Sequence, residues 1–169
     1  METLENHKGF SARSRTSSAR VFILKDYKES AKKCSIISLK GKSGIDFLDR
    51  LKFDEYDFSG MLLLHPDGEP IIKISKNEKI LLVDSNWRKA KKMYHRIEQK
   101  FNLPKISVNG FKSAYPWKAG RPENGLCSIE VLWTLKLIAG ERDDSLFENY
   151  RWKKEFLELN KNTITASHL

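Results

Sequence analysis

Cysteine is nearly absent: Cys34 and Cys127 are the only two in 169 residues. Two are too few for a disulfide framework or a four-cysteine zinc site, and both are expected to stay reduced. His7, His65, His95 and His168 do not recur at metal-ligand spacing, so no structural metal is expected. No window approaches the roughly 18 apolar residues of a membrane span. The amino terminus carries no long apolar run behind its charges, and neither a polybasic amphipathic segment nor a lipid signal is evident. The expectation is therefore a cytoplasmic protein with no membrane partner. There is also no glycine-rich phosphate loop and no nucleophile elbow, which argues against nucleoside triphosphatases and serine hydrolases. No internal repeat is present.

What the chain does have is positive charge. Lys and Arg number 31 against 22 acids, a formal net charge of +9. Such an excess is the electrostatic footprint of a polyanion-binding protein, although a solvated basic surface has the same composition. With 40% apolar content the chain can bury one compact core but not two full domains. Residues 1–19 read as a basic tail with no periodicity, able to brush phosphates or simply to form an unstructured end.

Apolar runs at Arg20–Lys25, Ser35–Leu39, Met61–Leu64, Ile80–Val83 and Pro104–Val108 predict strands. Continuous rather than alternating runs suit parallel strands covered on both faces. Ile45, Leu48 and Leu51 predict a helix over 43–53 capped by Ser43, and His65-Pro66-Asp67-Gly68 predicts a turn that ends the preceding strand. Trp87, Ala90, Tyr94, Ile97 and Phe101 fall three and four apart and predict a helix over 87–101 with one core-facing stripe. A wholly apolar helix capped by Ser128 and stopped at Gly140 follows, then a last helix over about 145–160. Alternating strands and helices imply a three-layer α/β fold with a mostly parallel sheet, whose ligands bind at the carboxyl ends of the strands. A 20–78 part and a 79–169 part are expected to follow the tail, with the apolar 129–139 helix buried in its own chain and the protein a monomer.

Asp84 ends one strand and opens a helix, a position that suits a helix cap, a proton acceptor, or both. Trp87 projects from the next turn, as core or as a flat apolar wall. Arg88, Lys89, Lys91, Lys92, Arg96 and Lys100 give that helix a cationic face, either solvated or set against phosphates. The irregular 109–125 stretch mixes Tyr115 and Trp117 with Lys112, Lys118 and Arg121. That mixture suits stacking on an unpaired base, and equally a loop pinned by its aromatics. Loops this long inside a compact domain usually have a function.

The segment from Ile80 to Leu132 resembles the DTW-domain proteins and their relatives, the small-subunit ribosomal RNA aminocarboxypropyltransferases. The resemblance rests on an ordered series: Asp84 to Trp87 after a strand, the basic Arg88 to Ala90, Leu103-Pro104, Tyr115, and Leu126-Cys127-Ser128-Ile129-Glu130. Lys32-Lys33-Cys34-Ser35 is similar to a cofactor-pocket stretch of the ribosomal enzymes, and YRWKKEFLELN to their final helix. The chain departs in lacking the additional early cysteines of DTW proteins, and in a longer stretch from Tyr115 to Leu126 than the ribosomal enzymes have.

This resemblance implies a SPOUT-like fold with a carboxyl-terminal trefoil knot. It implies S-adenosylmethionine bound in the knot loops, and transfer of its 3-amino-3-carboxypropyl group to a uridine-type nitrogen of ribosomal or transfer RNA, leaving methylthioadenosine. Asp84 then serves as general base or orients the target base. Ser35, Trp87, Leu103, Tyr115, Leu126, Cys127 and Ser128 form the cofactor pocket, and the cations at 88, 89, 91, 92, 96, 112, 118 and 121 hold RNA. Methyl transfer by a knotted enzyme and a non-catalytic RNA-binding module are the alternatives.

Overall fold

The computed structural model describes residues 19–28 and 34–167. All of the basic tail but Ala19 lies outside the described residues, as do Lys32 and Lys33.

Five strands form one sheet: β1 (Arg20–Lys25), β2 (Ile45–Asp49), β3 (Leu62–Pro70), β4 (Lys79–Asp84) and β5 (Lys105–Ser107). Their order is β2-β1-β4-β3-β5 and every pairing is parallel. Side chains alternate across a strand, so the unbroken apolar runs feed two cores. Val21, Ile23, Ile80 and Leu82 enter one, while Leu24, Leu81 and Val83 enter the other. Strands from before and after residue 78 share the sheet, with β1 seated between β2 and β4.

Helix α1 (Trp87–Phe101) covers the second core with Ala90, Met93, Tyr94 and Ile97, against Phe53 and Phe58. Asn86 caps it by accepting from the Lys89 backbone N–H at 3.0 Å, and Asn102 ends it in the left-handed region at φ 45°. Helix α2 (Ser128–Ile138) lies in the first core and is buried nearly all round. Its outer side is covered by a 3-10 turn at Asp144–Phe147 and by helices α3 (Lys153–Leu159) and α4 (Lys161–Ala166). Trp133 of α2 stacks on Phe147 at 5.3 Å and meets Phe156 edge-on at 5.8 Å. A helix sandwiched in this way needs apolar side chains on every face, as its sequence has.

Several local expectations are corrected. Residues 35–39 are a turn and a 3-10 segment (Ile37–Leu39), not a strand, because β2 and β4 already occupy both edges of β1. Ile36 and Leu39, three apart, reach the core from that single turn. The expected 43–53 helix is instead β2 followed by a 3-10 turn (Arg50–Glu55). Gly44 enters β2 at φ 79°, which no helix start adopts, and Ile45 and Phe47 meet one core while Leu48 meets the other. Leu51, the third residue of the supposed stripe, is 68% exposed.

His65–Gly68 does not end β3 but bulges out of it: Ile106 pairs with Leu64 and again with Glu69. A Cβ on Gly68 would collide with the Ile106 backbone, so the excursion closes only over glycine. Cys127 rather than Ser128 is the N-cap of α2. The single helix expected over 145–160 is broken, because Phe147 must stack on Trp133 while Tyr150 reaches Glu130. Asn160 sits at the α3–α4 corner, where its side chain bonds the loop at Lys112.

Candidate active site

The carboxyl ends of β4 and β5, with the bulge of β3, line a cleft beneath the 109–126 loop. Parallel register sets Lys25 beside Asp84. Lys25 Nζ donates to Asp84 Oδ2 at 3.0 Å and to Cys34 Sγ at 2.9 Å, and its side chain is only 2% exposed. Burial pulls the Lys25 ammonium down, but Cys34 and the Asp84 charge outweigh it and hold it above its ordinary value. Ser128 Oγ donates to the other Asp84 oxygen at 2.6 Å. The carboxylate therefore bridges β1 to the first turn of α2 and takes no part in capping α1.

One residue along, Asp26 is a second buried carboxylate. It accepts from Lys89 Nζ at 2.7 Å, the Lys28 backbone N–H at 3.1 Å and Arg50 at 3.3 Å. Burial would raise it, yet these donors hold it below the usual carboxylate range. Lys89, itself half-exposed, is thereby tied to a buried carboxylate.

The cleft roof depends on Glu130, which is fully buried. Its Oε1 accepts from the backbone N–H groups of Ala114 at 2.9 Å and Tyr115 at 3.3 Å, and from Tyr150 Oη at 2.8 Å. Its Oε2 takes the Cys127 N–H at 3.0 Å, the carboxylate half of a capping box. Burial first, then the Glu130 charge, push the Cys127 thiol up, so it stays protonated. Burial first, then Cys127 and Glu130, push the Tyr150 phenol up and keep it a donor. Arg121 donates to the Tyr115 carbonyl at 2.8 Å, and Tyr115 meets Trp152 edge-on at 4.9 Å. Where the loop crosses Trp87, a Cβ on Gly125 would sit 2.9 Å from the indole Cζ2, so glycine permits the close approach.

On the β3 side, His65 and Pro66 of the bulge line the cleft. His65 Nδ1 accepts the Asp67 N–H at 3.0 Å and its ring packs on Tyr94 at 4.5 Å. Burial, then Lys105, hold this imidazole below its ordinary value despite Asp67 and Glu98, which favours the neutral form. Burial alone pushes the Tyr94 phenol up to about 12.

Of the residues singled out from sequence, the cleft gathers Ser35, Asp84, Trp87, Tyr115, Leu126, Cys127 and Ser128, with Lys118 and Arg121 at its loop side. Leu103 stands apart, buried among Leu24, Phe53 and Ile97 in the second core. Arg88, Lys91 and Lys92 are exposed and make no ion pair among the described residues. Arg96 pairs with Asp54 at 3.3 Å and lies over the Phe53 ring. Lys118 lies over the Tyr115 ring, Lys112 is held through its backbone by Asn160, and Trp117 is 68% exposed. Sequence reasoning missed Lys25, whose only signal was a lysine closing an apolar strand. It also missed the roof-holding role of Glu130, for which the three-residue step from Cys127 was the available sign.

Comparison with curated proteins finds no match. Among solved structures, the fold is similar to that of the SAM-dependent rRNA:acp-transferase Tsr3 from Vulcanisaeta distributa. The TM-score is 0.63 at 21% identity, over 86% of this chain and 80% of that one. The sequence profile of the DTW domain matches residues 24–157, which span both Lys25 and Asp84, the cleft and its roof. This chain belongs to the DTW domain family.

Proposed function

We propose that this protein transfers the 3-amino-3-carboxypropyl group of S-adenosylmethionine to a uridine-type ring nitrogen in RNA, releasing methylthioadenosine. The observation that carries the reading is the Asp84 carboxylate, held between Lys25 and Ser128 where parallel strands end in a cleft. Membership of the DTW family and the likeness to Tsr3, described as a SAM-dependent rRNA:acp-transferase, support it.

The residues fit such a co-substrate. Leu64, Val83, Val108, Leu126 and Val131 supply apolar wall for a nucleoside, and the Ser85 hydroxyl is buried with no partner among the described residues. In this reading Trp87 and Tyr115 flank the bound molecule. Ser35 and the backbone N–H groups at the start of α2, near Cys127 and Ser128, receive its carboxylate, which a helix amino terminus favours. When bound, S-adenosylmethionine supplies an electrophilic carbon beside its sulfonium. The ring nitrogen bonds that carbon, the carbon–sulfur bond gives its electron pair to sulfur, and a neutral thioether leaves. Asp84 accepts the proton from the ring nitrogen, or orients the base as solvent takes it. Alignment under the roof supplies much of the rate, because the leaving group is already activated.

Arg88, Lys91, Lys92, Lys112 and Lys118 face outward for phosphates, and exposed Trp117 offers a stacking surface for an unpaired base. The reading extends to a SPOUT-like arrangement with a carboxyl-terminal trefoil knot, to ribosomal or transfer RNA as substrate, and to a cytoplasmic monomer. Burial of α2 on all sides by its own chain supports the monomer, and no helix among the described residues is long and apolar enough to cross a membrane.

The test is mass spectrometry of nucleosides and released small molecules after incubation with S-adenosylmethionine and total RNA from a strain lacking the protein. An aminocarboxypropyl uridine with methylthioadenosine is expected. A methyl mark with S-adenosylhomocysteine would make this a methyltransferase, and no product would leave an RNA-binding module.

A further inference from the structure

We infer that Lys25, which does not line the cleft, is the positioning residue that sets the Asp84 carboxylate for the transfer step. This rests on the function proposed above and adds a residue to its machinery.

An aspartate carboxylate turns through a broad, nearly two-fold torsion, so a single donor does not fix its plane. Here two donors act on different oxygens from different elements. Lys25 Nζ reaches Oδ2 from β1 at 3.0 Å, and Ser128 Oγ reaches Oδ1 from α2 at 2.6 Å. Each oxygen has further lone-pair capacity, so the carboxylate is locked while remaining able to accept from a ligand in the cleft. The Lys25 stem is 2% exposed and runs in register beside β4. Its ammonium is itself fixed by a second acceptor, Cys34 Sγ at 2.9 Å. A lysine serving only to cover the core would not be brought to a strand end with its charge aimed at Asp84, the one carboxylate among the described residues that lines the cleft.

Lys25 also differs from the neighbouring pair of Lys89 with Asp26. That carboxylate takes three donors, is 3% exposed and does not line the cleft. The molecule therefore separates a structural carboxylate from one left open on its ligand side, and Lys25 is the charge committed to the open one.

The experiment compares Lys25→Met, Lys25→Arg, Asp84→Asn and the Lys25→Met/Asp84→Asn double variant. It measures S-adenosylmethionine affinity by calorimetry, folding by circular dichroism, and kcat and KM for product release. Lys25→Met is expected to lower kcat about 100-fold, the size of a misplaced acid–base group, while co-substrate affinity changes less than about threefold. Lys25→Arg should recover most of the loss. In the Asp84→Asn background, removing Lys25 should have little further effect, because residues acting as one unit are not additive. The double variant buries no lone charge, so it serves if Lys25→Met alone fails to fold. An equal, additive fall in both backgrounds, or unchanged kcat in folded Lys25→Met, would overturn the inference. Wild-type protein that neither binds S-adenosylmethionine nor modifies RNA would overturn the functional reading first, and this inference with it.

Discussion

Gly125 shows how much of the cleft depends on the absence of a single atom. A Cβ there would lie 2.9 Å from Trp87 Cζ2 and 3.1 Å from the Pro122 carbonyl oxygen, so either the indole or the loop must move. Backbone cannot yield cheaply, and the Trp87 ring is the softer partner. Gly125→Ala should therefore weaken S-adenosylmethionine binding about tenfold while leaving the melting temperature nearly unchanged. Calorimetric titration checks this, and wild-type affinity in the variant would show that the roof does not depend on the Trp87 position. Glu130 works at the same scale in the opposite sense, as one carboxylate holding three backbone N–H groups and a phenol. Neither role is visible in composition, because each follows from where another segment passes.

Among the elements, α2 decides whether the molecule has a first core at all. Trp133 is fully buried, stacks on Phe147, and donates its indole N–H to Asp144 at 3.0 Å. Trp133→Ala removes packing and leaves Asp144 without one of its donors, so it should cost about 3–5 kcal/mol of stability by urea unfolding. A loss below about 1 kcal/mol would mean that the carboxyl-terminal helices do not pack on α2 as described. Helix α1 was legible from its three-and-four spacing, and β1, β4 and β5 from their apolar runs. Helix α2 was legible too, although its cap was not. The 43–53 segment was misread because three apolar residues at helical spacing are a weak signal beside a five-residue parallel pairing with β1.

For the whole molecule, the +9 charge has a geometry. Some cations are committed to carboxylates, buried Lys25 to Asp84 and half-exposed Lys89 to Asp26, while Arg88, Lys91 and Lys92 face solvent. Charge reversal at Lys91 and Lys92 should weaken binding to RNA of any sequence without unfolding the protein. It should also lower the salt slope by about 0.7 per lost phosphate contact on single strands. Filter binding across salt concentrations checks this; an unchanged slope would place the RNA on another face.

The sequence by itself determined the α/β class, the strand-end position of Asp84, the stripe of α1, the buried nature of α2 and the ordered series that marks the family. These are local properties, written in spacing, propensity and motif order. Tertiary structure alone decided which charges pair. It joined Lys25 to Asp84 across 59 positions, tied Ser128 to the same carboxylate, bulged His65 toward Tyr94 and set Leu103 in the second core. Sheet register and loop crossings bring such residues together, and no periodicity along one segment encodes a partner supplied by another.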